Sequence, residues 1–291
     1  MLLSTATSGL AKILGFEGTF QAMKAAGFEA YDFSASTINR KEDSPLMGEH
    51  YMEFLMEIKN MADSLGLVCN QAHATFPPEK YGDEEYNKRA YKQILREMEC
   101  ASILGAKRIV VHAVKPLPKG MDSWGINLKF YRGLIPYCEK FNIQVAVENL
   151  FEPDEKRGRR RPCFIGTSEK LAKFIDELDS PWFTVCFDVG HAAINGEDPE
   201  DAIRNLGKRI GCVHLHDNNW VDDQHLVPYL GKTDWNEVCK AFADIDYQGD
   251  FTLETVHFED KFPAEVLPDA VLFEAKLARH LMQKIEAARN A

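Results

Sequence analysis

The sequence predicts a single-domain (β/α)8 TIM barrel, an α/β fold covering residues 1–291. Three observations carry that expectation. Eight short apolar runs alternate with eight amphipathic helical stretches from one end of the chain to the other. The length of 291 residues suits one such barrel, which typically takes about 250. No linker or repeat divides the chain, and no GxGxxG turn supports the alternative of an open, doubly wound sheet.

The elements follow in order. Residues 2–7 read as a first strand, and a helix over 19–26 stops at Gly27. Residues 30–34 form the second strand, followed by a polar loop through Ser44 and Pro45. The helix over 50–65 stops at Gly66, the kind of residue that closes helices in a left-handed conformation. Strand three covers 67–74, and the helix over 83–104 again stops at a glycine, Gly105. Strand four (108–113) leads to a helix over 127–141. Strand five (144–150) leads to a helix over 168–178, with Thr167 as candidate N-cap. Strand six (183–189) precedes a helix over 199–206, and strand seven starts at Ile210 ahead of a helix over 235–245. Strand eight (251–255) and a long helix over 269–288 close the chain.

Composition narrows the function classes. A hydrophobic share of 45% is enough for a sizeable core. The net charge of −11 argues against a dominant nucleic-acid or membrane-binding surface, since clustered Lys and Arg drive phosphate binding. Seven cysteines form no CxxC pair, and Cys69, Cys186 and Cys212 sit in apolar runs where a thiol packs as a small hydrophobe. An odd count without a framework reads as a reduced compartment. The opening MLLSTATSGL lacks the features of a secretory leader, and no apolar run approaches the roughly 20 residues of a membrane span. A cytoplasmic protein without membrane contact is expected.

The densest chemistry lies in GCVHLHDNNWVDDQH, from Gly211 to His225. His214 and His216 are two apart on a strand and so share one face; Asp217, Asp223 and His225 follow. Five metal- or proton-handling groups so close together exceed what a solvated strand carries, although a hydrogen-bonded core histidine pair is the plainer alternative.

In a barrel of this kind the active site lies at the C-terminal strand ends. Strand three ends in His73, four in His112, five in Glu148 and Asn149, six in Asp188 with His191 beyond, seven in His214 and eight in Glu254. Two positions earlier stand Gln71, Val110, Ala146, Cys186, Cys212 and Thr252, as suits a packed interior beneath a polar layer. A lone His73 or His112 would be an ordinary structural histidine, and a lone Glu148 a partner for an arginine. Repetition over six strands argues otherwise. Crowding Glu148, Asp188 and Glu254 into one mouth costs several kcal/mol unless a cation or protons compensate. The interleaved imidazoles favour Mn²⁺, Zn²⁺, Co²⁺ or Fe²⁺ over Ca²⁺.

Two further features stand out. Lys156, Arg157, Gly158, Arg159, Arg160 and Arg161 follow strand five directly. Such a run is either a solvated loop or, on the catalytic face, a clamp in which Arg159, Arg160 and Arg161 hold a phosphate or carboxylate. Phe33, Phe76, Trp124, Trp220 and Trp235 fall near strand ends or in following loops, where an aromatic either packs or covers a bound ligand.

The strand ends VENL (147–150), FDVGH (187–191), VHLHD (213–217) and TLE (252–254) resemble the xylose isomerase-like TIM-barrel superfamily, which holds sugar isomerases and epimerases, inosose dehydratases and endonuclease IV. The resemblance covers essentially the whole chain. Similarity to the ketose 3-epimerases implies that Glu148, Asp188, His214 and Glu254 hold one divalent metal (Mn²⁺, Zn²⁺ or Co²⁺), with Glu148 and Glu254 also the acid/base pair. It implies that His191 contacts substrate, and His216 is placed with it. Similarity to endonuclease IV implies additional metal at His73, His112, His191, Asp223 and His225, although the spacing from His214 to the Asp-x-His pair is shorter here.

The leading expectation is therefore a metal-dependent isomerase or epimerase of a sugar or sugar phosphate. The alternative is a zinc phosphoesterase or abasic-site nuclease, and a non-catalytic sugar-binding barrel is a third. These residues do not separate a dehydratase from an isomerase, nor a monomer from a homo-oligomer.

Overall fold

Strands covered on both faces carry apolar side chains nearly throughout, and those of this chain are buried along almost their whole length. The structure, a computed structural model, describes residues 1–39 and 44–290. Its strands are β1 (Leu3–Ala6), β2 (Ala30–Ser34), β3 (Val68–His73), β4 (Arg108–Val110), β5 (Gln144–Glu148), β6 (Phe151–Asp154), β7 (Arg159–Pro162), β8 (Phe183–Asp188), β9 (Ile210–His214) and β10 (Phe251–Leu253). Eight of them form one parallel sheet in the order β10-β1-β2-β3-β4-β5-β8-β9. A single bridge, Leu215 to Leu253, closes β9 onto β10. There the Leu215 N–H donates to Thr252 O (3.0 Å) and the Glu254 N–H to Leu215 O (3.1 Å). The barrel expected from the sequence is the fold observed.

The interior is layered. Val110, Ala146, Cys186 and Cys212 pack as a small apolar plug inside the barrel, apart from the large core between strands and helices. Toward the floor lies a buried polar chain. Ser4 donates to Asn70 Oδ1, Asn70 to Thr252 Oγ1, Thr252 to Gln71 Oε1, and Gln71 Nε2 to Asp32 Oδ2 at 2.8 Å. Each link repays the cost of burying a polar group.

Several elements differ from the sequence expectation for identifiable reasons. The first helix runs over Ser8–Ala26, not from 19, and breaks at Gly15 (φ 67°); its glycines hide the apolar period. The expected helix 127–141 is two, Ser123–Arg132 and Ile135–Phe141, because Pro136 at the start of the second cannot continue the hydrogen-bond ladder of the first. Thr167 caps nothing with its side chain; Glu197 instead binds the Ser168 N–H (2.8 Å) and hydroxyl (2.6 Å). The polar loop after β2 begins as a short helix, Ala35–Asn39, and its residues 40–43 lie outside the described residues. Only the second half of the basic run leaves the loop: Lys156, Arg157 and Gly158 form a turn, and Arg159, Arg160 and Arg161 lie on β7. Gly158 (φ 60°) turns the chain into an antiparallel hairpin, β6 with β7. All seven cysteines are buried and unpaired, and among the described residues no helix is long and apolar enough to cross a membrane.

Candidate functional site

Parallel strands ending at one level deliver their last side chains to a common mouth. Glu148, Asp188 and His214 are the final residues of β5, β8 and β9, and Glu254 follows β10. One donor atom from each of the four lies within 4.8 Å of the others. His214 Nδ1 is 3.2 Å from Glu148 Oε1 and 3.5 Å from Glu254 Oε2, while its Nε2 faces Asp32 Oδ2 at 3.4 Å. Two further donor sets flank this one. His73, His112 and Glu148 form the first, and His191, His216, Asp223 and His225 the second. Glu148 belongs to two of the three sets.

Local structure explains the aim of each side chain. Asp188 caps the short helix Val189–Ile194 by accepting the His191 N–H (2.7 Å), which fixes His191 beside it. Asn149 splints β5 to β8, accepting the Asp188 N–H and donating to the Asp188 carbonyl, both at 2.8 Å. Three imidazoles place Nδ1 against a backbone carbonyl: His73 on Ala74 (3.0 Å), His191 on Asn149 (3.1 Å) and His225 on Glu254 (2.8 Å). Donating from Nδ1 leaves the Nε2 lone pair facing inward, the orientation a metal ligand needs. His225 holds this pose at φ 44°, a left-handed conformation that a non-glycine residue rarely adopts. His216 is more deeply buried than His191. It is fully buried, with Nε2 3.0 Å from Asp188 Oδ1, and its ring lies where a side chain on Gly190 would stand. Asp217 belongs to none of the donor sets. It accepts the N–H groups of Asn218, Tyr229 and Thr233 and of the Trp235 indole, so it organises the loop that carries Asp223 and His225.

Burial raises the Glu148 carboxyl, but His112, His191 and His214 outweigh it and hold the group well below the usual carboxylate range. Asp188 is lowered in the same way, against burial, by His191 and His216. Burial and the neighbouring His112 push His73 down to about 3. Burial opposes charge on His225, yet Asp223 and Glu254 raise it to about 9. Each shift is thus set by a neighbour of the cluster acting with or against burial. Asp32 Oδ1, Glu148 Oε2, His214 Nε2, His216 Nδ1 and Asp223 Oδ1 are buried without an aligned hydrogen bond. Orphaned donors in mixed nitrogen and oxygen sets fit first-row divalent cations.

The donor sets open into a cleft of about 620 Å³ at the C-terminal mouth. Of the aromatics singled out in the sequence, Phe76 lines it, lying 4.7 Å from the His112 ring and 5.4 Å from that of His73. Phe33 and Trp235 are core, Trp124 binds Glu177, and Trp220 lies on the outer loop. Arg159, Arg160 and Arg161 are not among the lining residues. Arg160 binds Asp222 (3.1 Å) and Arg161 binds Glu152 (2.6 Å), so the hairpin's charges are spent on neighbouring carboxylates, and Arg159 is exposed. The cations that do line the cleft are Lys12 and Lys115; burial lowers the pKa of Lys115, whose Nζ donates to Phe151 O. Sequence reasoning missed Lys115, which nothing in its surroundings marks. It also missed Asp32, for which a signal existed: a lone acid between Tyr31 and Phe33 on a buried strand.

Comparison with known proteins identifies the family. The family profile described as xylose isomerase-like TIM barrel matches residues 9–278. A D-psicose 3-epimerase of Enterocloster bolteae is 32% identical over 287 residues, spanning 92% of this chain and 87% of that one. Among solved structures, a D-tagatose 3-epimerase-like protein superposes with a TM-score of 0.76 at 19% identity, covering 99% of each chain. The D-psicose 3-epimerase of Clostridium cellulolyticum H10, solved with D-tagatose, gives 0.72 at 17% identity over 97% of this chain and 99% of that one. By its profile, its relatives and its barrel, the chain belongs to the xylose isomerase-like TIM barrel family.

Proposed function

We propose that the protein is a divalent-metal-dependent epimerase or isomerase acting on a sugar or sugar phosphate. One observation carries the reading: Glu148 and Glu254, from separate strands, converge on His214 Nδ1 within a single donor set. Glu148, Asp188, His214 and Glu254 would hold the core ion. Such an ion supplies a Lewis acid for the substrate carbonyl and a template for the adjacent hydroxyl. Glu254, partly exposed and lining the cleft, would take the proton alpha to that carbonyl; Glu148 would return one from the other side. His191, which lines the cleft, would contact a substrate hydroxyl, whereas the buried His216 would orient Asp188 or serve as a ligand. For a phosphorylated sugar, Lys12 and Lys115 are better placed than Arg159, Arg160 and Arg161. The Enterocloster bolteae relative, named for D-psicose epimerisation, supports the reaction class.

The three adjoining donor sets favour one rival, a zinc phosphoesterase or abasic-site nuclease. Against it, a net charge of −11 disfavours an extended DNA footprint. Ketose epimerisation and abasic-site incision, assayed on one metal-quantified sample, separate the two. Sugar turnover without incision is expected, and robust incision without sugar turnover would overturn the choice.

A further inference from the structure

The opposite end of the barrel holds a second cavity, of about 420 Å³, at the N-terminal ends of the strands. Three cations line it: Lys107 just before β4, Arg108 as its first residue, and Lys208 just before β9. Among the described residues, none of the three has a carboxylate within ion-pair distance or a side-chain hydrogen-bond partner. Arg108 Nε is buried and unsatisfied. Gly211 makes room for it, since a Cβ there would meet both Arg108 Nε and the Thr184 side chain. The two carboxylates on the lining are engaged elsewhere: Asp250 accepts the Leu2 N–H (2.8 Å), and Asp246 accepts from Gln248 (2.5 Å) and faces Arg289 at 4.0 Å.

A purely structural floor has no use for this arrangement. The N-terminal face of such a barrel ordinarily serves stability. Three unpaired like charges around one concavity repel each other, and a buried guanidinium N–H without an acceptor costs free energy. A bound dianion would relieve both. The contrast with a chain of net charge −11 makes the convergence sharper, because the average surface of this protein repels anions. An arginine fork with two flanking ammonium groups matches phosphate oxygens, and the space exceeds what a bare phosphate fills.

We propose that this cavity binds a small phosphate monoester, at a site separate from the metal-binding mouth. Calorimetric titration of metal-loaded protein with inorganic phosphate, and then with glycerol phosphate, tests it at fixed ionic strength. The comparison is with Lys107→Gln/Lys208→Gln, whose exposed lysines the fold does not need, and with Arg108→Gln. Wild type is expected to show a binding event that each variant weakens by at least roughly tenfold, the usual effect of losing a charged hydrogen bond. Phosphate held at the metal mouth would persist in the variants and is thereby told apart. The double-lysine variant should keep the wild-type sugar turnover measured without phosphate. Identical isotherms in wild type and both variants would overturn the proposal, and an equal response to succinate would overturn the phosphate class.

Discussion

Asp32 Oδ2 lies 3.4 Å from Nε2 of His214, on the side of the ring away from Glu148 and Glu254. A carboxylate at Nε2 holds the proton there and leaves the Nδ1 lone pair for the donor set. Asp32 is itself held by Gln71 Nε2 at 2.8 Å, so the interior chain of side chains ends on His214. Asp32→Asn should weaken core-metal affinity by about 10–100-fold, the usual cost of losing such a partner, with the barrel still folded. Competition against a chelator measures it. Unchanged affinity would confine Asp32 to packing.

Glu254 is the more exposed of the two proposed acid/base carboxylates, at 18% against 1% for Glu148. Glu254→Gln keeps an oxygen for the metal but cannot take a proton. A loss of about 10²–10⁴-fold in turnover is expected. Solvent hydrogen entering the substrate at the wild-type rate would show that another group is the base.

Gly190 has His216 where its Cβ would be. Gly190→Ala should displace that imidazole, costing about 1–3 kcal/mol of stability and the ion of the set His191, His216, Asp223 and His225. Elemental analysis should find less metal per chain than in wild type. Full wild-type stoichiometry would remove His216 from the ligands.

Glu259 and Glu274 are fully buried, and none of their carboxylate oxygens has an aligned hydrogen bond among the described residues, although the Leu10 backbone and the Thr255 hydroxyl lie close enough to temper their shifts. Burial pushes Glu274 up to about 8, and burial together with Glu274 pushes Glu259 well above the usual range. An acid whose folded pKa is raised keeps its proton while the unfolded chain has lost it. Its contribution is complete below the ordinary 4.5 and declines as pH rises through about 8. The slope reaches about 1.4 kcal/mol per pH unit for each group. Glu274→Gln should flatten thermal stability across that window and raise the Tm at its alkaline end. A pH profile superposable on wild type would refute this.

What could be read from the sequence was whatever depends on period and position. His73, Glu148, Asp188 and His214 are strand-terminal because a barrel strand must alternate and then stop, and Glu254 comes one residue after β10. The arginine run was ambiguous for the opposite reason. Asp222, the partner of Arg160, is 62 residues away in sequence, so no local pattern distinguishes a clamp from a paired hairpin. The burial of His216 behind Asp188 likewise depends on a contact between strands, with only Gly190 as a faint local hint. Asp32 was legible but overlooked, since the end of β2 carries Ser34, not an acid or imidazole.

The seam between β9 and β10 joins through one bridge at Leu215 and Leu253, whereas each other neighbouring pair of strands shares a register of three or more residues. His214 stands on one lip of that seam and Glu254 on the other. An ion gripped by both would act as a rivet through the thinnest weld of the cylinder, adding about 4 kcal/mol when present at a thousand times its dissociation constant. Stripping the ion should then unzip the cylinder locally before it melts as a whole. The amides of Leu215 and Glu254 should exchange with deuterium far faster in the stripped protein, while those of β4 and β5 stay protected.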